Sequence, residues 1–185
     1  SGIGMLTAGV SVSGIAQRMF AGVDSFSYLA IPMFMLAGKL MEYGGISARI
    51  VQVAKILCAK VRGGLAITSI VACSFFAALS GSAPATVSAI GGIMYPEMLK
   101  DGYDEEFAGG MISVAGNLGP LIPPSILMVT IGVCTGVSIS DMFLGGIVIG
   151  ILLAAVFCLT AYVICRRRNY GGSGQTYSSK EKWRI

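Results

Sequence analysis

The amino-acid sequence predicts an all-α membrane protein that contains a re-entrant helical hairpin and a broken transmembrane helix, on three observations. The chain of 185 residues is 55% hydrophobic and 12% charged, with a mean hydropathy of +0.79, whereas a soluble domain carries about 25% charged residues. Asp, Glu, Lys and Arg are absent from residues 63–96, 107–140 and 142–165, and each of these runs exceeds the roughly 20 apolar residues that cross a bilayer. Two of the runs carry helix-breaking residues at their centres: Gly81 and Pro84 in the first, and Gly119, Pro120, Pro123 and Pro124 in the second. A buried helix of a large soluble protein would be shorter and would show a polar face.

Residues 1–45 read as the end of one membrane helix followed by a kinked spanning helix. Residues 1–17 are uncharged and rich in Gly and Ser; residues 26–41 are apolar, with Pro32 in the interior and Tyr43-Gly44-Gly45 as a C-terminal cap. Residues 46–62 place Ile46, Ile50, Val53, Ala54, Leu57 and Val61 at helical spacing, with Arg49, Gln52, Lys55, Lys60 and Arg62 mostly opposite. A basic amphipathic helix of this kind lies in the membrane surface.

Residues 63–100 form the hairpin. As one straight helix the uncharged part would rise about 51 Å, against a hydrocarbon core near 30 Å. The small, hydroxylated, Pro-containing stretch 80–86 is where it turns back. Residues 104–137 form the broken helix. Its break at 116–125 holds Gly116, Asn117, Gly119, Pro120, Pro123 and Pro124, and prolines inside a helix remove donors and clash with the preceding turn. The Asp104-Glu105-Glu106 cluster caps the start of this helix, and Asp141 caps the next. Residues 141–165 are a plain span, and 166–185 a polar cytoplasmic linker.

Charge placement tests the hairpin independently. The positive-inside rule makes Arg166, Arg167 and Arg168 cytoplasmic. Counting spans backwards puts Lys100 inside; Arg49, Lys55, Lys60 and Arg62 join it there only if residues 63–96 double back rather than cross. Arg18 is the one basic residue left awkwardly near the outer face.

Two interrupted elements at comparable depth point to a transporter's binding site. Unwound backbone and helix C-termini offer carbonyls to a small hard cation, and helix N-termini offer amides to an anion. Ser80, Ser82, Thr86 and Asn117 add neutral oxygens, and no carboxylate lies at that depth. Proton-coupled carriers keep Asp, Glu or His in the membrane, so the composition favours sodium as coupling ion. Close helix packing by small residues is the simpler reading of the tip, and of Gly146-x-x-x-Gly150. Catalysis finds no support in nucleophile or HExxH motifs. Cys58, Cys73, Cys134, Cys158 and Cys165 lack C-x-x-C spacing and the chain has no His, which argues against zinc. The net charge of +4 sits at the ends of apolar runs, not on a nucleic-acid-binding face.

The segments IPMFMLAGKLMEYGG, VRGGLAI, SGSAPATVSAIGGIMYPEMLKDGYD, GNLGPLIPPSILMV and ICRRRNYGG together resemble the DctM-type large membrane subunit of tripartite ATP-independent periplasmic (TRAP) transporters. That resemblance implies an elevator-type transporter repeat in the bacterial inner membrane. It implies a small membrane subunit and a periplasmic substrate-binding protein as partners, and sodium-coupled uptake of a small organic anion such as a C4-dicarboxylate, with no cofactor beyond the sodium ion. Carried over by motif, Ser80, Gly81, Ser82 and Thr86 at the tip and Gly116, Asn117, Gly119, Ile122 and Pro123 at the break would bind the ion. Ser82, Ala83, Pro124 and Ser125 would line the substrate site. The family subunit is much longer, so this chain reads as the first of two inverted repeats, cut at both ends. Pro84 stands where the family often has another small residue. The alternatives are a divalent-anion symporter that works without a binding protein, and a non-transporting membrane scaffold.

Overall fold

The computed structural model describes residues 12–24, 26–58, 61 and 63–170. Every regular element among them is an α-helix: α1 (Val12–Val23), α2 (Phe26–Tyr43), α3 (Ile46–Cys58), α4 (Gly64–Ser80), α5 (Ala83–Lys100), α6 (Glu105–Gly116), α7 (Ile126–Thr135) and α8 (Ile139–Arg168). The expected helix end within residues 1–17 is instead a helix that runs on to Val23, and residues 1–11 lie outside the described part. Helix α2 continues through Pro32 and ends as expected, with Gly44 donating to the Leu40 carbonyl and Gly45 at φ 75°.

The α4–α5 hairpin is the centre of the molecule. Helix α4 packs against α2, α3, α5, α6 and α8. It is apolar on every side, burying Ile70, Cys73, Phe76 and Ala77 completely or nearly so, and its Ser69 and Ser74 hydroxyls are absorbed by the carbonyls of Leu65 and Ile70 one turn back. The two arms, 17 and 18 residues long, rise about 26 Å each, less than a bilayer core.

Helix α3 corrects the expected amphipathic pattern. It packs inward through Ser47, Val51, Ala54 and Cys58, and leaves Ile46, Val53 and Leu57 exposed. Of the expected apolar face Ala54 is buried and Ile50 packs partly against the core, whereas Ile46, Val53, Leu57 and Val61 are exposed. Small residues face the hairpin because helices approach closely there. Lys55 pairs with Glu97, tying α3 to the far end of α5. Residues 59, 60 and 62 lie outside the described part.

Helix α8, at 30 residues, is the one helix among the described residues long and apolar enough to cross a membrane. It exceeds the expected span at both ends. Ser138, rather than Asp141, is its N-cap: the Ser138 hydroxyl accepts from the Asp141 amide, which places Asp141 in the first turn. Asp104 does occupy the N-cap position of α6, but its side chain makes no capping bond. Its carboxylate instead accepts from the Tyr170 hydroxyl and from Arg168. The Tyr170 ring packs at a tilt against Tyr103 and Phe107 at centroid distances of 5.1 and 5.4 Å. Nearby, Gly63 at φ 74° lies so close to Cys165 that a Cβ would sit 2.6 Å from the Cys165 Cβ. Helix α8 is therefore clamped to both ends of the hairpin's base. All five cysteines are free thiols, and the linker beyond Tyr170 lies outside the described residues.

Candidate functional site: two helix breaks in contact

Both expected interruptions exist, and they touch. The hairpin tip is narrower than the stretch 80–86: only Gly81 and Ser82 leave the helix, and Ala83 restarts it with Pro84 in the first turn. Proline is tolerated there because a first-turn amide has no intrahelical partner to lose. Thr86 is thus a helical residue rather than part of the turn. The second break runs through residues 117–125, between α6 and α7, and contains a cis peptide between Pro123 and Pro124.

Glycines make the contact possible. Gly81 adopts φ 60°, and a Cβ on it would stand 2.6 Å from the Pro124 carbonyl oxygen and 3.1 Å from the Ile126 nitrogen. A Cβ on Gly119 would stand 2.7 Å from the Ser82 carbonyl carbon and 2.8 Å from the Ala83 nitrogen. Gly116 lies directly against Val87. At Gly81 and Gly119 backbone meets backbone, so a side chain there cannot be accommodated by rotating a neighbour, whereas Gly116 meets the Val87 side chain.

Four helix ends converge in consequence. The C-termini of α4 and α6 bring carbonyls, and the N-termini of α5 and α7 bring amides, each end carrying about half an elementary charge. Among the described residues no donor hydrogen-bonds to the carbonyls of residues 78–81 or 119–124. Unpaired carbonyls in a protein interior are costly unless a ligand or water takes them. The amides of Gly119, Leu121 and Ile122, by contrast, are paired to the carbonyls of Gly116 and Leu118.

The hydroxyls are arranged in a fixed order. Thr86, fully buried, donates to the Ser82 carbonyl at 2.8 Å, which spends its one proton. Ser80, also buried, therefore donates to Thr86 Oγ1 at 3.0 Å and keeps its own lone pairs free apart from a long contact with the Ser82 amide. Ser82 makes no side-chain capping bond at the start of α5, so its hydroxyl is uncommitted. Ser125 is buried completely and its hydroxyl caps α7 by accepting from Met128. Asn117 is exposed, and Ile122 turns its side chain towards α8, leaving its carbonyl for the site. The structure thus gathers Ser80, Gly81, Ser82, Ala83, Thr86, Gly116, Gly119, Pro124 and Ser125 at the contact itself. Ile122 and Pro123 sit within the break, half-buried, and Asn117 on its rim.

Of two further parts of the surroundings, one gives no sequence signal and the other reads from the sequence only as helix packing. A Cβ on Gly38 of α2 would stand 3.7 Å from the Ser80 Cα, and Gly146 and Gly150 of α8 receive Leu121 and Ile122. The Gly146-x-x-x-Gly150 spacing was the available signal for the second; a lone Gly in α2 gave none.

Among the described residues, an all-helical fold with one membrane-length helix and two abutting breaks of uncharged backbone suits a membrane permease subunit. Residues 3–184 match the family described as "Tripartite ATP-independent periplasmic transporter, DctM component", and the chain belongs to that family. It is 49% identical over 160 residues to the C4-dicarboxylate TRAP transporter large permease protein DctM of Vibrio cholerae, covering 86% of this chain and 35% of that protein. It is 40% identical to the isethionate TRAP transporter permease protein DctMQ of Oleidesulfovibrio alaskensis, covering 85% of this chain and 25% of that one. With the sialic acid TRAP transporter large permease protein SiaM of Vibrio cholerae it shares 37% identity, over 90% of this chain and 39% of the other. The chain spans about a third of the length of the curated relatives it matches.

Proposed function

We propose that the chain forms part of the ion and substrate path of a TRAP transporter that takes up a small organic anion together with sodium across the bacterial inner membrane. Arg166, Arg167 and Arg168 face the cytoplasm in this reading, the α4–α5 hairpin is re-entrant, and α6–α7 is a membrane helix interrupted at mid-depth. The unit moves as one elevator repeat, a second, inverted repeat completes the cavity, and a small membrane subunit and a periplasmic binding protein are the partners. The DctMQ name of one relative fits a small subunit that is fused in some members.

The observation that carries the reading is the contact of the two breaks, with its unpaired carbonyls and no carboxylate. Sodium, a small hard cation, is matched by carbonyl and hydroxyl oxygens. The unpaired carbonyls at the end of α4 and in the break after α6, with Ser80 Oγ, supply them at Gly81, Gly119, Ile122 and Pro123, while the Gly116 carbonyl already accepts from the Gly119 amide and has only its second lone pair to offer. The uncommitted Ser82 hydroxyl and the first-turn amides of α5 face an anionic carboxylate, which suits a helix N-terminus. Bound sodium neutralises the carbonyl-rich side, so ion and anion favour one another's binding. The substrate is a carboxylate of the C4-dicarboxylate kind, the class named for the relative with 49% identity.

The test is uptake by the complete transporter in proteoliposomes with its binding protein supplied. Uptake of a C4-dicarboxylate is expected with an inward sodium gradient and not with choline in its place. Uptake that follows a proton gradient and ignores sodium would overturn the proposal.

A further inference from the structure

We propose that Gly146 and Gly150 of α8 are positioning residues for the ion site. The absence of their side chains lets the break seat against α8, and that seat fixes where the break's carbonyls stand relative to the hairpin tip. The inference rests on the sodium reading above and adds residues that touch neither ion nor substrate.

Helix α8 is exposed nearly all round at this level. Leu144, Gly145, Ile147, Val148 and Ile149 face outward, and only Gly146 and Gly150 are buried. What buries them is the break. A Cβ on Gly146 would stand 2.7 Å from the Leu121 carbonyl oxygen and 2.5 Å from the Met128 methyl; one on Gly150 would stand 2.7 Å from Ile122 Cγ1 and 3.7 Å from its Cα. Leu121 and Ile122 lie between Gly119, which abuts Ser82, and Pro124, whose carbonyl abuts Gly81. The break is therefore held between the hairpin tip on one side and α8 on the other.

The same helix is anchored about 22 Å further along, where Cys165 meets Gly63 and where Tyr170 and Arg168 meet Asp104. Helix α8 thus refers the break and the base of the hairpin to one rigid rod. Carbon atoms pack at about 3.5–4.0 Å, so a methyl group at Gly146 obliges the Leu121 backbone to retreat by up to about 1 Å. Binding constellations tolerate about 0.5 Å. At Gly150 the nearest atom belongs to a side chain that can rotate, so the displacement is smaller. Gly145, one residue away, has nothing within 4 Å and reports the effect of an alanine on the helix alone.

The experiment measures the half-saturating sodium concentration for uptake by the complete transporter carrying Gly146→Ala, Gly150→Ala or Gly145→Ala, with the melting temperature of each purified variant. Gly146→Ala is expected to raise half-saturating sodium about tenfold, and Gly150→Ala about threefold, as outer-shell changes do at ion sites. Gly145→Ala is expected to match the wild type. Simple helix packing would lower the melting temperature and leave the sodium requirement unmoved; that result for both glycines overturns the inference and spares the sodium reading. Should Gly146→Ala fail to assemble, Gly150→Ala decides alone. Wild-type uptake that is indifferent to sodium overturns both.

Discussion

The molecule is held together in opposite ways at its two ends. Where the breaks meet, contact is made by backbone against backbone at Gly81 and Gly119 and by Gly116 against Val87, with no charge and few side chains. At the base of the hairpin it is made by side chains: the Tyr103, Phe107 and Tyr170 rings, the Asp104–Arg168 and Asp104–Tyr170 bonds, and the Lys55–Glu97 pair. The difference teaches where each kind of substitution acts. A methyl group added at the breaks displaces the main chain that would carry the chemistry. A side chain removed at the base costs packing energy and leaves the second anchor of α8, at Gly63 and Cys165, in place, so the break keeps its seat.

The largest effect belongs to Gly119→Val. Its side chain meets the Ser82 and Ala83 backbone, and misplacement of a site by about 1 Å costs on the order of 100-fold in rate. Uptake per permease molecule is expected to fall by that order, with the complex still assembling. Normal uptake would show that the breaks do not need to touch. Thr86→Val is next, because it removes the acceptor used by the buried Ser80 hydroxyl, while the Ser82 carbonyl keeps the Thr86 amide. Leaving a buried polar group unpaired costs about 1–3 kcal/mol, visible as a lower melting temperature together with a higher sodium requirement. A drop in stability with unchanged sodium dependence would confine the hydroxyl pair to a structural role.

At the base, Tyr170→Ala loses two ring contacts worth about 0.5–1.5 kcal/mol each, so the melting temperature should fall while half-saturating sodium stays put. The smallest change is expected from Lys55→Gln. A partly exposed ion pair contributes at most about 1 kcal/mol, and the loss should shrink in high salt. If either base variant shifts the sodium requirement, the two ends are coupled more tightly than their construction implies.

How much was legible follows from the same contrast. Both breaks were readable because Gly and Pro punctuate a helix by their own backbone properties, whatever surrounds them. The extent of the tip was misread because Pro84 and Thr86 fit the first turn of a helix as readily as a loop, and only the structure decides. The face of α3 was misread for a different reason. Periodicity separates apolar from polar positions, but a membrane offers two apolar neighbours, protein and lipid, and here the small residues Ser47, Ala54 and Cys58 take the protein side. Asp104 looked like a helix cap because its neighbours in sequence suggested one. Its partner Tyr170 stands 66 residues away, and no local pattern announces such a bond. The cap of α8 lies at Ser138 rather than Asp141 because the helix starts about one turn earlier than the charge pattern indicates, where an uncharged hydroxyl serves as well as a carboxylate.

The central claim, that uncharged backbone at two abutting helix breaks holds the coupling ion, is tested most directly by calorimetric titration of the purified complete permease with sodium chloride at constant ionic strength. Saturable sodium binding, absent with potassium and lost in Gly119→Val, is the result expected. Binding that survives in Gly119→Val with unchanged affinity would contradict the claim.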